Sequence, residues 1–282
     1  MVERAQRTLK TEVRFSGLGI HLGKAATFSL LPSGEDSGIV FKKFDSVSGR
    51  ETEIPADLVR VSSTGRCTTL SNGQESICTV EHLLAALKAY RIDNAVIRIE
   101  GEEIPAGDGS SAVFINLIEQ AGIIEQNKPV RTFRLMKTVC FKKDEIFLAA
   151  VPSQEFRISY TLHYPKIKMI GTQHYSCKIE PEFFKKEISG CRTFALYNEL
   201  RFLMDRGLIK GGSLENAIVF NEKVAISNES LRFPDEPVRH KILDLIGDLS
   251  LVGKNFLAHI IAIGSGHSSN VALGKKIANM LY

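Results

Sequence analysis

A chain of 282 residues, 44% hydrophobic and 24% charged, has the makeup of an ordinary globular protein, with core enough for two compact domains or one large one. Its formal net charge of +4 suits an anionic small substrate, but it is too weak to argue for nucleic acid, and no dense Lys/Arg block appears. The five cysteines (Cys67, Cys78, Cys140, Cys177, Cys191) are scattered and form no C-x-x-C pair, which argues against a disulfide framework and a zinc ribbon. The chain opens Met1-Val-Glu-Arg-Ala-Gln-Arg7 without an apolar leader, and no later run resembles a membrane span. The expectation is a soluble, cytoplasmic chain with no stable membrane insertion and no obvious dimer seam, hence a monomer.

From Arg7 onward one plan is used twice. Arg7-Thr8-Leu9 leads through alternating, strand-like residues to Pro32-Ser33, and Arg131-Thr132-Phe133 leads through two such runs to Pro152-Ser153. Extended segments follow at Gly38–Phe41 and Phe156–Tyr160. Arg66-Cys67-Thr68-Thr69 has its counterpart in Cys191-Arg192-Thr193-Phe194. Each half then offers a helix carrying an early histidine, one starting near Thr79 with His82, the other near Glu236-Pro237 with His240. Proline suits a first helical position, where its missing N–H would be unpaired anyway. A β-rich run, a Gly-Ser turn and a last amphipathic helix close each half.

The expected fold is therefore α+β, with two similar domains over residues 1–126 and 127–282 joined by the polar stretch Glu125–Pro129. Packing helices on one sheet face leaves each domain a helical layer to bury, and facing those layers would bring the two histidine-bearing helices to one interface. An apolar strand–helix–strand piece at about 193–222 has no counterpart in the first half; on composition it reads as a satellite core.

The chemistry concentrates in Glu236-Pro-Val-Arg-His240-Lys241-Ile-Leu-Asp244-Leu-Ile-Gly247-Asp248. His240, Asp244 and Asp248 recur every fourth residue and so line one helix face. Buried carboxylates are costly unless a cation offsets them, and a His-x-x-x-Asp pair can converge on one metal ion. A lone histidine is more often a hydrogen-bonded core residue than a ligand; what changes the balance is Glu81-His82 on the other helix. Adjacent helical residues point about 100° apart, so His82 can bind a metal while Glu81 reaches water. Three protein ligands with an open fourth position is the catalytic arrangement. Gly264-Ser-Gly266-His267 puts a last histidine at a helix start, either as a simple cap or paired with Asp248, which would keep it protonated.

Together, Gly17-Leu-Gly-Ile-His21, Thr79-Val-Glu81-His82, Glu103-Ile-Pro-x-x-Asp108, Arg192-Thr193-Phe194, Gly211-Gly212-Ser213, the Glu236–Asp248 run and Gly266-His267 resemble the zinc-dependent UDP-3-O-acyl-N-acetylglucosamine deacetylases. The resemblance runs in consistent order from the first strand to the last helix. It implies a β-α-α-β sandwich with the active site between the helical layers, and deacetylation of an acylated UDP-glucosamine to give acetate at the committed step of lipid A biosynthesis. It further implies that His82, His240 and Asp244 hold one Zn2+, with Fe2+ an alternative in the cell. Glu81 would be the general base. Thr193 and Lys241 would stabilise the oxyanion, and His267, held by Asp248, would protonate the leaving amine. His21, Phe194, Leu203, Met204, Ile209, Gly212 and Lys241 would contact substrate, the 193–222 piece forming the passage for its acyl chain.

Two departures stand out. Gly264 occupies a place where some members have a basic residue, so other cations must hold the diphosphate. The segment Pro105-Ala-Gly-Asp108 is also less apolar than the family pattern. A different metal hydrolase, such as a peptidase, lacks its usual H-E-x-x-H here. A nucleic-acid-binding module lacks basic–aromatic clustering.

Overall fold

The computed structural model describes residues 4–45 and 48–281. The first three residues of the opening stretch read above as lacking an apolar leader lie outside them. In the first half the strands are β1 (Ala5–Leu9), β2 (Val13–Leu18), β3 (Ala25–Pro32), β4 (Ile39–Phe44) and β5 (Glu51–Pro55). Three short strands follow, β6 (Val61–Ser63), β7 (Thr69–Ser71) and β8 (Ser76–Ile77), then α1 (Glu81–Ala89), β9 (Ala95–Glu100) and α2 (Ala112–Ala121). The second half runs through β10 (Ile123–Pro129), β11 (Thr132–Arg134), β12 (Val139–Lys143), β13 (Ile146–Pro152), β14 (Arg157–Tyr164) and β15 (Gly171–Lys178). Helix α3 (Pro181–Phe183) continues as a π turn over Phe184–Ile188. Next come β16 (Phe194–Leu196), α4 (Tyr197–Asp205), β17 (Ile218–Phe220), β18 (Ala225–Ile226), α5 (Glu236–Ser250), β19 (Asn255–Ile263) and α6 (His267–Ala278).

The two main sheets have the same order. One reads β2-β3-β9-β4-β5 and the other β12-β13-β19-β14-β15, so in each half the last strand is inserted at the centre. That strand lies parallel to the third strand of its sheet and antiparallel to the second. A parallel pair needs a crossover, and the crossover elements include the histidine-bearing helices α1 and α5. Strict alternation along β3 and β19 buries every second side chain, as strands with one packed face require. The fold is α+β, a sheet–helix–helix–sheet sandwich, and one continuous hydrophobic core takes in residues of both halves.

Two local readings differ from expectation. Residues 125–129 are not a loose connection; they lie in β10, paired antiparallel with β1. The stretch is polar because this two-stranded ribbon is solvated on nearly every residue of β10, which removes the hydrophobic alternation that marks a strand. The strand–helix–strand piece is present as β16, α4 and β17, but β18 adds a third strand beyond it. The first half has its own elaboration at the same point of the topology, the sheet β6-β7-β8. Its strands of two or three residues, rich in Ser and Thr, are too short to show periodicity.

Helices α1 and α5 meet at their closest at Gly247, where an added Cβ would lie 2.1 Å from the Glu81 carbonyl oxygen and 2.9 Å from its Cα. No side chain fits between the two backbones. Gly247→Ala should therefore force the helices apart and destabilise the protein by about 1–3 kcal/mol, the usual cost of overpacking, read as a lower denaturant midpoint. An unchanged midpoint would show that the crossing has slack.

Candidate active site

The Gly247 crossing sets the first turn of α1 against the C-terminal half of α5. His82 and His240 face each other edge-on with ring centroids 5.0 Å apart. The Nε2 atom of each lies 3.4 Å from Asp244 Oδ1. The ligand atoms of these three buried residues all fall within 4.8 Å of one another.

The local bonding prepares the group for a cation. His240 Nδ1 donates to the Cys191 carbonyl at 3.0 Å, which leaves the Nε2 lone pair directed at Asp244. Burial pushes the His240 imidazole down to about 3, so it is neutral, as a ligand must be. Burial opposes ionisation of Asp244, yet the Lys241 ammonium holds its carboxyl well below the ordinary range. Lys241 Nζ donates to Oδ2 at 2.8 Å, whereas the buried Oδ1 has no hydrogen-bond partner. A buried carboxylate oxygen without a partner is expensive, and two imidazoles beside it are the donor set for a divalent ion. The residues fit a metal.

Beside them lie two groups able to exchange protons, Glu81 and His267. Glu81 is buried, and burial raises its carboxyl well above the usual carboxylate range against the opposing pull of His267. Its Oε2 accepts the Thr68 backbone N–H at 3.0 Å, and its Oε1 lies 3.7 Å from His267 Nε2. His267 is the first residue of α6. Burial works against its protonation, but Asp248 and Glu81 lift it to about 10. Its Nδ1 donates to Asp248 Oδ2 at 2.9 Å. At neutral pH it is therefore a cation held at a carboxylate.

These groups open into a cavity of about 780 Å³. Apart from the fully buried Asp248, which lies behind His267, every residue given a metal, catalytic or substrate role above lines it. Glu81, His82, His240, Lys241, Asp244 and His267 form its reactive end, and Thr193 and His21 lie on the wall. Phe194, Leu203, Met204, Ile209 and Gly212 come from the β16–α4 region and the loop after it. Leu203 is buried, while Met204 is 61% exposed and stands at the rim. The Lys241 ammonium sits 5.5 Å from the Phe194 ring centroid. Backbone bonds seat the loop carrying Ile209 and Gly212 against the His21 turn: Lys210 N–H donates to the His21 carbonyl at 3.0 Å, and Gly211 N–H to that of Ile20 at 3.1 Å. Gly211 permits this, because a Cβ there would lie 2.2 Å from the Gly19 carbonyl oxygen.

Several residues that hold the site have no signal in isolation. Glu103 accepts the backbone N–H groups of His21 and Leu22 and the Thr79 hydroxyl, fixing the His21 turn. The fully buried Glu236 pairs with Arg192, which is 2% exposed, at 2.9 Å and anchors Thr193 beside α5. The Cys191 carbonyl orients His240 through its backbone, a role independent of side-chain type. Asp244→Ala should abolish stoichiometric metal binding, measured by elemental analysis of purified protein; full metal content would remove it from the ligand set.

The same chain matches the family described as UDP-3-O-acyl N-acetylglycosamine deacetylase (LpxC) over residues 6–279. It is 60% identical over 281 residues to a UDP-3-O-acyl-N-acetylglucosamine deacetylase of Chlamydia pneumoniae, with 100% of this chain and 99% of that protein covered. The figure is 61% for the deacetylase of Chlamydia caviae, with the same coverage. For that of Chlamydia trachomatis serovar L2 it is 56%, with 100% of this chain and 97% of that protein covered. No helix among the described residues is long and apolar enough to cross a membrane.

Proposed function

Because this chain belongs to the UDP-3-O-acyl N-acetylglycosamine deacetylase family, we propose that the cavity between α1 and α5 is where its reaction takes place, with the roles set out here. The protein is a deacetylase of lipid A biosynthesis, hydrolysing the N-acetyl amide of UDP-3-O-acyl-N-acetylglucosamine. The observation that carries the site assignment is the two-imidazole, one-carboxylate cluster lying beside a buried glutamate and a carboxylate-held imidazole.

His82, His240 and Asp244 hold the metal, which we take to be Zn2+; two nitrogens and one oxygen also suit Fe2+. When bound, the ion supplies Lewis-acid polarisation of water and of the amide carbonyl. Glu81 Oε1 takes the proton from the attacking water, while the Thr68 N–H fixes its other oxygen. Attack converts the planar amide into a tetrahedral centre with negative charge on the former carbonyl oxygen. The Thr193 hydroxyl and the Lys241 ammonium, both on the cavity wall, face that charge. Such preorganised donors are each worth roughly 3–4 kcal/mol of barrier. Lys241 has a second task, since its bond to Asp244 Oδ2 leaves Oδ1 to the metal. His267, cationic because Asp248 and Glu81 favour its charge, gives its Nε2 proton to the departing amine. Atoms balance as acetate plus the free amine.

Phe194, Leu203, Met204 and Ile209 take the 3-O-acyl chain, and each methylene they bury contributes about 0.8 kcal/mol. His21 and Gly212 complete the sugar end. The five cysteines are free thiols, which fits work in the cytoplasm.

Acetate release should vanish on chelation and return on adding Zn2+; activity that survives complete metal removal would sink the mechanism. Glu81→Gln should lower kcat by about 10²–10⁴ with metal retained, the range for loss of a general base. The pH profile has a definite sign. His267 must be protonated to act and is raised above 6.5 to about 10, so activity holds through neutrality and falls as pH climbs toward that value. A bound cation displaces this alkaline limb downward. Glu81 must be ionised, which puts the acid limb above the ordinary carboxylate range. The same alkaline limb in His267→Gln would assign it to another group.

A further inference from the structure

We propose that Thr68 is a positioning residue that ties the base and the acid of the reaction into one unit. The proposal rests on the assignment of Glu81 and His267 as the proton-transfer pair.

Thr68 is completely buried and lies just before β7, in the elaboration of the first half rather than on either central helix. All of its polar groups are engaged. Its backbone N–H donates to Glu81 Oε2 at 3.0 Å, and its hydroxyl donates to Asp248 Oδ1 at 2.6 Å. Its carbonyl accepts the N–H of Val80, the residue that precedes Glu81, at 3.4 Å. Asp248 in turn uses Oδ2 for His267 Nδ1 at 2.9 Å and for the Asn270 amide at 2.8 Å. One residue thus links Glu81 to His267 through Asp248, in the order Glu81–Thr68–Asp248–His267.

The geometry gives this link a task. With Oε2 occupied by Thr68, only Oε1 of Glu81 faces His267 and the cavity, so a single oxygen is presented to water. With Oδ1 of Asp248 pinned by the Thr68 hydroxyl, the carboxylate plane is fixed and Oδ2 is aimed at the imidazole. Without that hydroxyl the fully buried Asp248 loses its Oδ1 donor, and its plane is held only by the bonds to Oδ2. The imidazole that must meet the leaving nitrogen would then lose its orientation, although Thr68 touches neither substrate nor metal. Partners of this outer kind typically cost 10–100-fold when removed.

The experiment compares Thr68→Val, which keeps shape and backbone but loses the hydroxyl, with Thr68→Ser, which keeps the hydroxyl. Acetate release is measured for kcat and KM, alongside metal content. Thr68→Val should lower kcat about 10- to 100-fold with KM and metal stoichiometry nearly unchanged, and Thr68→Ser should restore most of the loss. In a His267→Ala background the valine substitution should cost nothing further, because the group it positions is gone. If the valine variant does not fold, Thr68→Ala takes its place in the same comparison. Parental kcat in Thr68→Val, or an undiminished loss on top of His267→Ala, would overturn the proposal. Parental kcat in His267→Ala alone would remove the acid itself and the proposal with it, an outcome distinct from failure at Thr68.

Discussion

The crossing of α1 over α5 at Gly247 decides what the other residues can do. Neither helix carries a complete ligand set: α1 supplies His82, and α5 supplies His240 and Asp244. Only when the backbones approach closely enough to exclude a side chain at residue 247 do two imidazole nitrogens come to 3.4 Å from one carboxylate oxygen. The same contact places Glu81 beside α5, and with it the partner of His267. The cluster that could hold a metal and the acid–base groups beside it are consequences of one helix packing.

Burying these charges is costly, and the sequence offsets the cost by pairing rather than by exposure. Asp244 meets Lys241, Asp248 meets His267, Asn270 and Thr68, and Glu236 meets Arg192. Among the oxygens of these three carboxylates, Asp244 Oδ1 alone has no such partner, and it is directed at the two imidazoles. The desolvation that raises Glu81 and lowers His240 is the same physical effect with opposite consequences, since it disfavours whichever form is charged. It gives a carboxyl basic enough to accept a proton and an imidazole neutral enough to bind a cation. His267 escapes that rule because two carboxylates outweigh its burial.

Around this centre the two halves differ in what they add between the fourth strand of each sheet and its histidine-bearing helix. The first half adds β6-β7-β8 and, with it, Thr68. The second adds the β16–α4–β17 region, whose apolar side chains line the cavity. A duplicated scaffold has thus been given a polar elaboration on one side and an apolar one on the other, with the cavity at the seam.

The periodicities of β3, β14 and β19, the histidine-bearing helices and the fourfold spacing of His240, Asp244 and Asp248 were legible along the chain, because each depends on residues a few positions apart. The paired plan of the two halves was legible for the same reason, as was the resemblance that supplied roles for Glu81, Thr193 and His267. β10 and the short strands β6 to β8 were not, since an exposed or three-residue strand leaves no hydrophobic alternation to read. Nor were the parts played by Thr68, Glu103 and the Cys191 carbonyl, which rest on backbone groups or on partners 13 to 180 residues away. Local spacing fixes which atoms a helix face can offer; only tertiary packing, here the contact at Gly247, brings faces from two halves within bonding distance and sets the burial that tunes their protons.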